Sequence, residues 1–396
     1  MKKLLLLLFL LPLISFATNK YEVAGGTGNY NSTSNWSLTS GGGSGAAVPS
    51  SSDSVFLNGS SGNLTINVAS NAKAFICTGY TGVLTFNGTL TVAGNVTFVS
   101  GMGTIAGTSD LILNTSCTIT SGGKILTGGL QCNLFGAQTV TLADDWTING
   151  TLLTNSNTSN TFNGNIFHLK GSFTLSRTCS GTTLISMEGT GTWSTTNSSV
   201  LSNDLTFNTS GTITISGTLL YQTGTITATA STGTIITTSS TLTIQNSCTL
   251  NTSHIIWNNI NMSVAVKTYT INSLLSATGT LTTTGTSTFA GTSGWTVGTW
   301  VQNTGGSVIT FHAGNTYTIT ASATTNGTLS IPVTFVSSTP TSVYYLNLVS
   351  GSVQDIGFTS PTDADSSAGL TWWVYKGTIS NTLNWRLIAT PVTISY

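Results

Sequence analysis

Charge is what this chain most conspicuously lacks. Only 5 % of its 396 residues are charged, ten basic and ten acidic, against about 25 % in an average soluble domain. Phosphate binding requires clustered Lys and Arg, so the composition argues against nucleic acid as a partner. Disorder does not follow either, because it goes with low hydrophobicity and high net charge, and here 39 % of residues are hydrophobic with zero net charge. Only six prolines occur, and no Pro-rich or charged linker divides the chain. The five cysteines, Cys77, Cys117, Cys132, Cys179 and Cys248, are odd in number, irregularly spaced and never C-x-x-C. A chain of this length builds its core without a disulfide framework, so they read as small buried hydrophobes, with one disulfide as the alternative. Helical signals are missing as well: no 3.6-residue period is sustained.

What is present begins with a leader. Lys2 and Lys3 precede the apolar run Leu4 to Ile14, and Ser15-Phe16-Ala17 supplies small residues for cleavage. This is the pattern of a secretory signal peptide, residues 1–17, with removal expected after Ala17. Beyond it, Thr, Ser, Gly or Asn interrupts every apolar run, so no later membrane span is expected. Taking away Lys2 and Lys3 leaves 8 basic and 10 acidic side chains. The mature protein is expected to be secreted, extracellular or at the cell surface.

Through the body, residues 60–340, apolar and polar residues alternate. In "GVLTFNGTLTVAGNVTFVSG" Leu84, Phe86, Leu90, Val92, Val96 and Phe98 fall on one side, and Thr85, Thr91 and Thr97 on the other. "GTITISGTL" and "STLTIQNSCTL" repeat the pattern. Period two with β-branched residues marks half-buried strands, and Gly, Asn and Ser punctuate them every few residues. The mature chain is therefore all-β.

Internal echoes narrow the architecture. Gly-Thr-Leu recurs at Gly88, Gly150, Gly217, Gly279 and Gly327, and "LNTSCTIT" (113–120) resembles "IQNSCTLN" (244–251). Loose self-similarity built from short strands and tight turns points to a right-handed parallel β-helix, or β-solenoid. At ~20–25 residues per coil and ~4.8 Å between stacked strands, the body would hold roughly 11–14 coils over about 55–65 Å. Scarce charge then has a cause. Parallel stacking sets like above like, and a charge repeated coil after coil would repel itself, whereas Thr, Ser and Asn can form ladders.

The two ends carry a resemblance. Gly25 to Asn29, Trp36-Ser37, Ser40 to Gly42, Val48-Pro49 and Asp53 resemble the entry module of Gly/Thr-rich β-solenoid proteins of bacterial surfaces and secretions, with relatives among phage fibre proteins. Asp363, Asp365, Ser367, Gly369, Asn381, Asn384 and Trp385 resemble the closing module of the same group. The resemblance covers roughly a fifth of the chain and implies a surface or fibre role without a particular chemistry. It organises the chain as an N-terminal entry cap at 18–59, the solenoid body at 60–340 and a closing module at 341–396. Tyr30 and Trp36 would seal the first coil, and Trp372, Trp373, Tyr375 and Trp385 the last; the same six are the candidates for stacking against a glycan.

No catalytic centre is legible. Glycosidic cleavage takes a paired acid and base, but the acidic residues are scattered, and Asp144-Asp145, the one adjacent pair, reads as a bend at a turn. "DADSSAG" offers Asp363 and Asp365 as a weak calcium candidate, with its Gly one place late and no closing Glu. His168, His254 and His312 have no neighbouring ligands in sequence. We therefore expect a non-catalytic protein without cofactor or metal. Its expected partners are extracellular glycans or further copies of itself in a fibre. A phage tail fibre or spike is the alternative role. An ice-binding protein, suggested by Thr-x-Thr rows such as "TITATASTGTI" (225–235), and a polysaccharide-active β-helix enzyme rank below it.

Overall fold

The computed structural model of the protein describes residues 17–25, 28–133, 138–155, 159–196, 199–262, 266–302, 304–390 and 393–395. The expected leader up to Phe16, and Gly26 and Thr27 of the opening motif, lie outside the described residues. Among those described, regular structure is β-strand apart from one 3₁₀ turn, Thr33–Asn35. The chain forms two compact units, one running to Thr151 together with Asn163–Asn165, the other comprising Leu152–Phe162 and Ile166–Tyr396. Each is a parallel β-solenoid, and together they hold about 15 turns.

In the first unit each turn has three short strands and so three faces. Leu84–Phe86, Leu90–Val92 and Val96–Thr97 form one turn; Ile105–Gly107, Leu111–Leu113 and Cys117–Thr120 form the next. Parallel register places Leu84 between Leu64 and Ile105, and Leu111 between Leu90 and Leu130. Successive turns are thus about twenty residues apart here, at the lower end of the ~20–25 residues expected per coil. The alternating Leu, Val, Ile and Phe side chains fill interior columns and are buried, each contributing roughly 1.5–3 kcal/mol when fully enclosed. Cysteines occupy the same columns: Cys132 follows Leu113, and Cys77 pairs with Leu57. All five are buried, and burial pushes the thiols of Cys77, Cys117, Cys179 and Cys248 up to about 12.

The Gly-Thr-Leu echo has a structural meaning in part. Gly88 and Gly150 lie in one corner column, reached through positions 109 and 128, so their interval is three turns. A Cβ at Gly88 would come within 2.5 Å of the Val68 backbone, and one at Gly150 within 2.5 Å of Gly128. Only glycine lets the coils approach this closely. In the second unit Gly217 and Gly279 are likewise three turns apart, through Ser240 and position 258. Gly327 leaves this column and packs against Phe358 and Val333. The Cys117 and Cys248 echo is compositional: Cys117 stacks with Val140, whereas Cys248 stacks with Tyr269 in a different sheet.

The second unit uses longer strands. Thr212–Tyr221, Thr234–Ile244, Leu275–Thr283, Trp295–Gln302 and Thr316–Asn326 each run across two faces, with register shifts at Thr214/Ser216, Ala277/Thr280 and Val297/Thr299. The irregularity bends each strand round the corner between the two faces. Its interior holds Phe289, Trp295, Trp300, Phe311, Tyr317, Phe335 and Tyr344. Phe311 stacks on Tyr344 at 4.6 Å and meets Tyr317 edge-on at 4.8 Å.

Parallel stacking already includes Asn19–Tyr21, which pairs with Ser54–Phe56. Towards each terminus the direction reverses once: Trp36–Ser37 runs antiparallel to Tyr21–Glu22, and Ile394–Ser395 antiparallel to Val353–Gln354. A reversed strand supplies backbone partners without offering the parallel edge that another coil would extend.

Candidate functional site

Tyr30 and Trp36 are buried against each other in the entry segment. Their rings meet edge-on at 5.0 Å, the Trp36 Nε1–H donates to the Tyr30 carbonyl at 2.7 Å, and the Tyr30 hydroxyl donates to the Asn71 carbonyl at 2.6 Å. Trp36 is 0 % exposed; neither face of its ring is open to a sugar. Burial drives the Tyr30 hydroxyl well above its usual pKa. Asp53 anchors the module: it accepts from the backbone and hydroxyl of both Thr18 and Ser50, and these bonds overcome the opposing effect of burial to hold its carboxyl at about 2.

Sequence reading missed the inward charges of this coil. Lys20 and Glu22 on Asn19–Glu22 are both buried. Burial raises the Glu22 carboxyl to about 7, against the opposing bonds from the Gly62 N–H at 2.7 Å and from Ser61. Inward-pointing charge on a terminal strand discourages edge-to-edge pairing with another chain.

At the other end the four named aromatics divide. Trp372 and Trp385 are buried and stacked at 4.8 Å, 20° from parallel, and the Trp372 Nε1–H donates to the Leu346 carbonyl at 3.1 Å. Trp373 and Tyr375, one residue out of phase, point the other way and are half-buried. Trp373 lies beside Arg386 in the next strand, while Tyr375 meets Phe358 edge-on at 5.4 Å and has the Lys376 ammonium 5.0 Å over its ring. Two outward aromatics with two adjacent cations make an amphipathic surface that a polyhydroxylated ring can lie against.

The closing-motif residues are corner clamps. Asp363, Asn381 and Asn384 all adopt positive φ, at 57°, 47° and 63°, a conformation that Asn and Asp tolerate better than most residues. Asp363 accepts from the Thr341 N–H and the Asn381 side chain. Asn384 donates to the carbonyls of Ser366 (3.0 Å) and Gly369 (3.1 Å) and accepts from Thr371. Asp365 accepts from the Ser367 N–H. The two aspartates named as a calcium candidate thus serve local donors, and no group of three or more His, Cys, Asp or Glu assembles among the described residues.

Other carboxylates do similar work between coils. Asp144 receives the N–H groups of Ser121 (2.6 Å) and Gly122 (2.8 Å) from the turn one coil earlier, while the Asp145 carbonyl receives the Ser121 hydroxyl. Asp110 receives the Gly129 N–H, and Asp204 the Thr225 N–H.

A second cluster escaped sequence reading because its members lie one turn apart. His168 stands on Ile166–Leu169 and Glu188 directly follows Leu184–Met187; His168 Nδ1 lies 2.5 Å from Glu188 Oε1. Lys170 donates to Glu188 Oε2 at 2.8 Å and Ser186 to Oε1 at 2.9 Å. Burial works against these bonds, yet they hold the Glu188 carboxyl below the usual range. The cluster's separation of eighteen to twenty residues is one turn of the stack, which only the register reveals. His254 and His312 stay in turns, bonded locally to Ser253 and Ala313.

Thr-x-Thr rows do reach a face, though differently than expected. The run 225–235 is not one strand: it breaks after Thr227, and Ala228 and Ser231 are buried. The rows instead form across coils, as Thr225–Thr249–Thr270 and Thr268–Thr288–Thr310.

Compared with known proteins, the chain matches no family model, no curated protein and no solved structure.

Proposed function

We propose that this is an exported, surface-associated β-solenoid whose role is structural and adhesive, and which holds extracellular glycans without cleaving them. The observation that carries this reading is the division among the terminal aromatics. Trp36, Tyr30, Trp372 and Trp385 are sealed in the ends, whereas Trp373 and Tyr375 face outward beside Arg386 and Lys376. Export is supported by the leader pattern, and kinship with bacterial surface solenoids by the terminal motifs. The absence of cleavage is supported by the way Asp110, Asp144, Asp204 and Asp363 are engaged as clasps by backbone N–H groups.

Fractionation of the native source, followed by sedimentation of the purified protein with insoluble extracellular polysaccharide, tests the reading. The protein is expected in the envelope or medium, starting after Ala17, and Trp373→Ala is expected to lose sedimentation while keeping the wild-type melting temperature. Cytosolic protein still beginning at Met1, or a Trp373→Ala variant that sediments like wild type, would overturn it.

A second reading, ordering of water as in ice binding, is favoured by the threonine files Thr225–Thr249–Thr270 and Thr268–Thr288–Thr310. Inhibition of ice recrystallisation that disappears in Thr249→Lys is its test.

A further inference from the structure

One of the three faces of the first unit is interrupted. Leu64–Ile66, Leu84–Phe86 and Ile105–Gly107 form a three-stranded sheet that ends there, and the next strand on that face, Ile125–Leu126, belongs to a different sheet. The alternation explains nothing here, since Ile105 and Leu126 are both buried in the ordinary way. The interruption comes from the corner before it. Gly122 and Gly123 adopt φ of 58° and 71°, and the Asp144 clasp holds Gly122, so the chain arrives displaced from the ladder. Side chains then do what backbone would have done. The Thr127 hydroxyl donates to the carbonyls of Gly107 (2.6 Å) and Ile105 (3.3 Å), and the Lys124 ammonium to that of Met102 (2.6 Å).

The gap is a cleft of about 540 Å³. Ala106 and Ile125 give it an apolar wall, with the Ile105 side chain buried behind it; Lys124 and Asn149 supply polar groups. Ile125 is 47 % exposed, an aliphatic side chain standing at the mouth on a strand that pairs with Trp146–Ile148 and not with Ile105–Gly107. No acidic side chain lines the cleft. An ammonium carries three N–H donors, and Met102 uses one of them, so the cationic end keeps donors for a ligand. In a chain with ten basic residues, a cation at the edge of an apolar recess is a specific feature. Sites of this kind take a ligand with one apolar face and few, directed polar groups.

We propose that this cleft binds an acidic sugar residue, a hexuronate unit of an extracellular polysaccharide. Its carboxylate meets Lys124, its C–H face lies on Ala106 and Ile125, and its hydroxyls meet Asn149. The charge of the cleft selects the carboxylate. The choice of a sugar rests on the extracellular reading above, while the site is separate from Trp373 and Tyr375.

The test is binding of the purified full-length chain to immobilised polygalacturonate, with neutral dextran as the control and free galacturonate or acetate as competitors. Wild type is expected to bind polygalacturonate and not dextran, with galacturonate competing and acetate not. Lys124→Met, which keeps the aliphatic stem, and Ile125→Glu, which sets a negative charge at the exposed mouth, are each expected to weaken binding at least tenfold. Lys73→Met, the same change at an exposed lysine outside the cleft, is expected to leave it unchanged. Should Lys124→Met fail to fold, Ile125→Glu decides. The inference falls if wild type does not bind polygalacturonate, if acetate competes as well as galacturonate, or if binding persists in the cleft variants. Loss in Trp373→Ala alone would also sink it, and would leave the adhesive reading standing.

Discussion

The indole N–H of Trp36 donates to the carbonyl of Tyr30 at 2.7 Å, with the two rings edge-on at 5.0 Å. The pair locks the opening segment across the first coil: one residue supplies the acceptor, and the other covers it. Trp36→Ala should therefore cost about 3–5 kcal/mol. Stability in stacked coils is a sum of neighbouring interfaces, so the loss should fray residues 54–98 first. Hydrogen exchange is the measurement: faster exchange there with later coils unchanged is expected, together with self-association through the opened edge. Unaltered protection and a monomeric variant would refute the sealing role.

Glu22 should make the entry coil pH-sensitive. Burial raises its carboxyl from 4.5 to about 7, so the folded state prefers it protonated. Its stabilising effect is complete below about pH 4.5 and is lost as pH rises through about 7. The loss should be on the order of 1–2 kcal/mol once solvent near the Gly62 turn is allowed for. Melting curves between pH 4.5 and 8.5 should fall with rising pH in wild type, and Glu22→Gln should remove that fall. A slope that survives the substitution would assign the effect elsewhere.

Asp144 holds the Ser121 and Gly122 N–H groups of the preceding turn. Removing a charged acceptor from such donors costs about 1–3 kcal/mol. Asp144→Ala is expected to lower the melting temperature. The double change with Asp145→Ala is expected to leave hydrolytic activity towards any glycan unchanged, because none is expected in the parent. Sugar release abolished by the double change would show these carboxylates to be catalytic.

Asn384 combines positive φ with three side-chain hydrogen bonds. Asn384→Ala loses those bonds and leaves an alanine in the left-handed region, so a loss of about 2–4 kcal/mol is expected. Asn384→Gly keeps the backbone at ease and should recover part of it. Limited proteolysis after Leu383 reads the result; equal resistance in the two variants would show that backbone strain plays no part.

The sequence by itself determined the class of fold and the chemistry of its surface. Both are local: a two-residue period dictates which side of a strand faces inward, and Leu84, Phe86, Leu90 and Val92 are buried as their alternation requires. The near absence of charge follows from like residues stacking on like, and Trp36 and Trp385 stand out because terminal coils differ from inner ones. Only the tertiary structure decided which residues meet across turns. The step between stacked partners varies, from 13 residues at Trp372 and Trp385 to 35 at Lys20 and Val55, and no local pattern carries that number. For that reason His168 and Glu188, the inward Glu22, the outward turn of Trp373 beside Arg386 and the break in the ladder between Ile105–Gly107 and Ile125–Leu126 were invisible in the chain. Each depends on register between coils, which is set by corner geometry and packing of the whole turn.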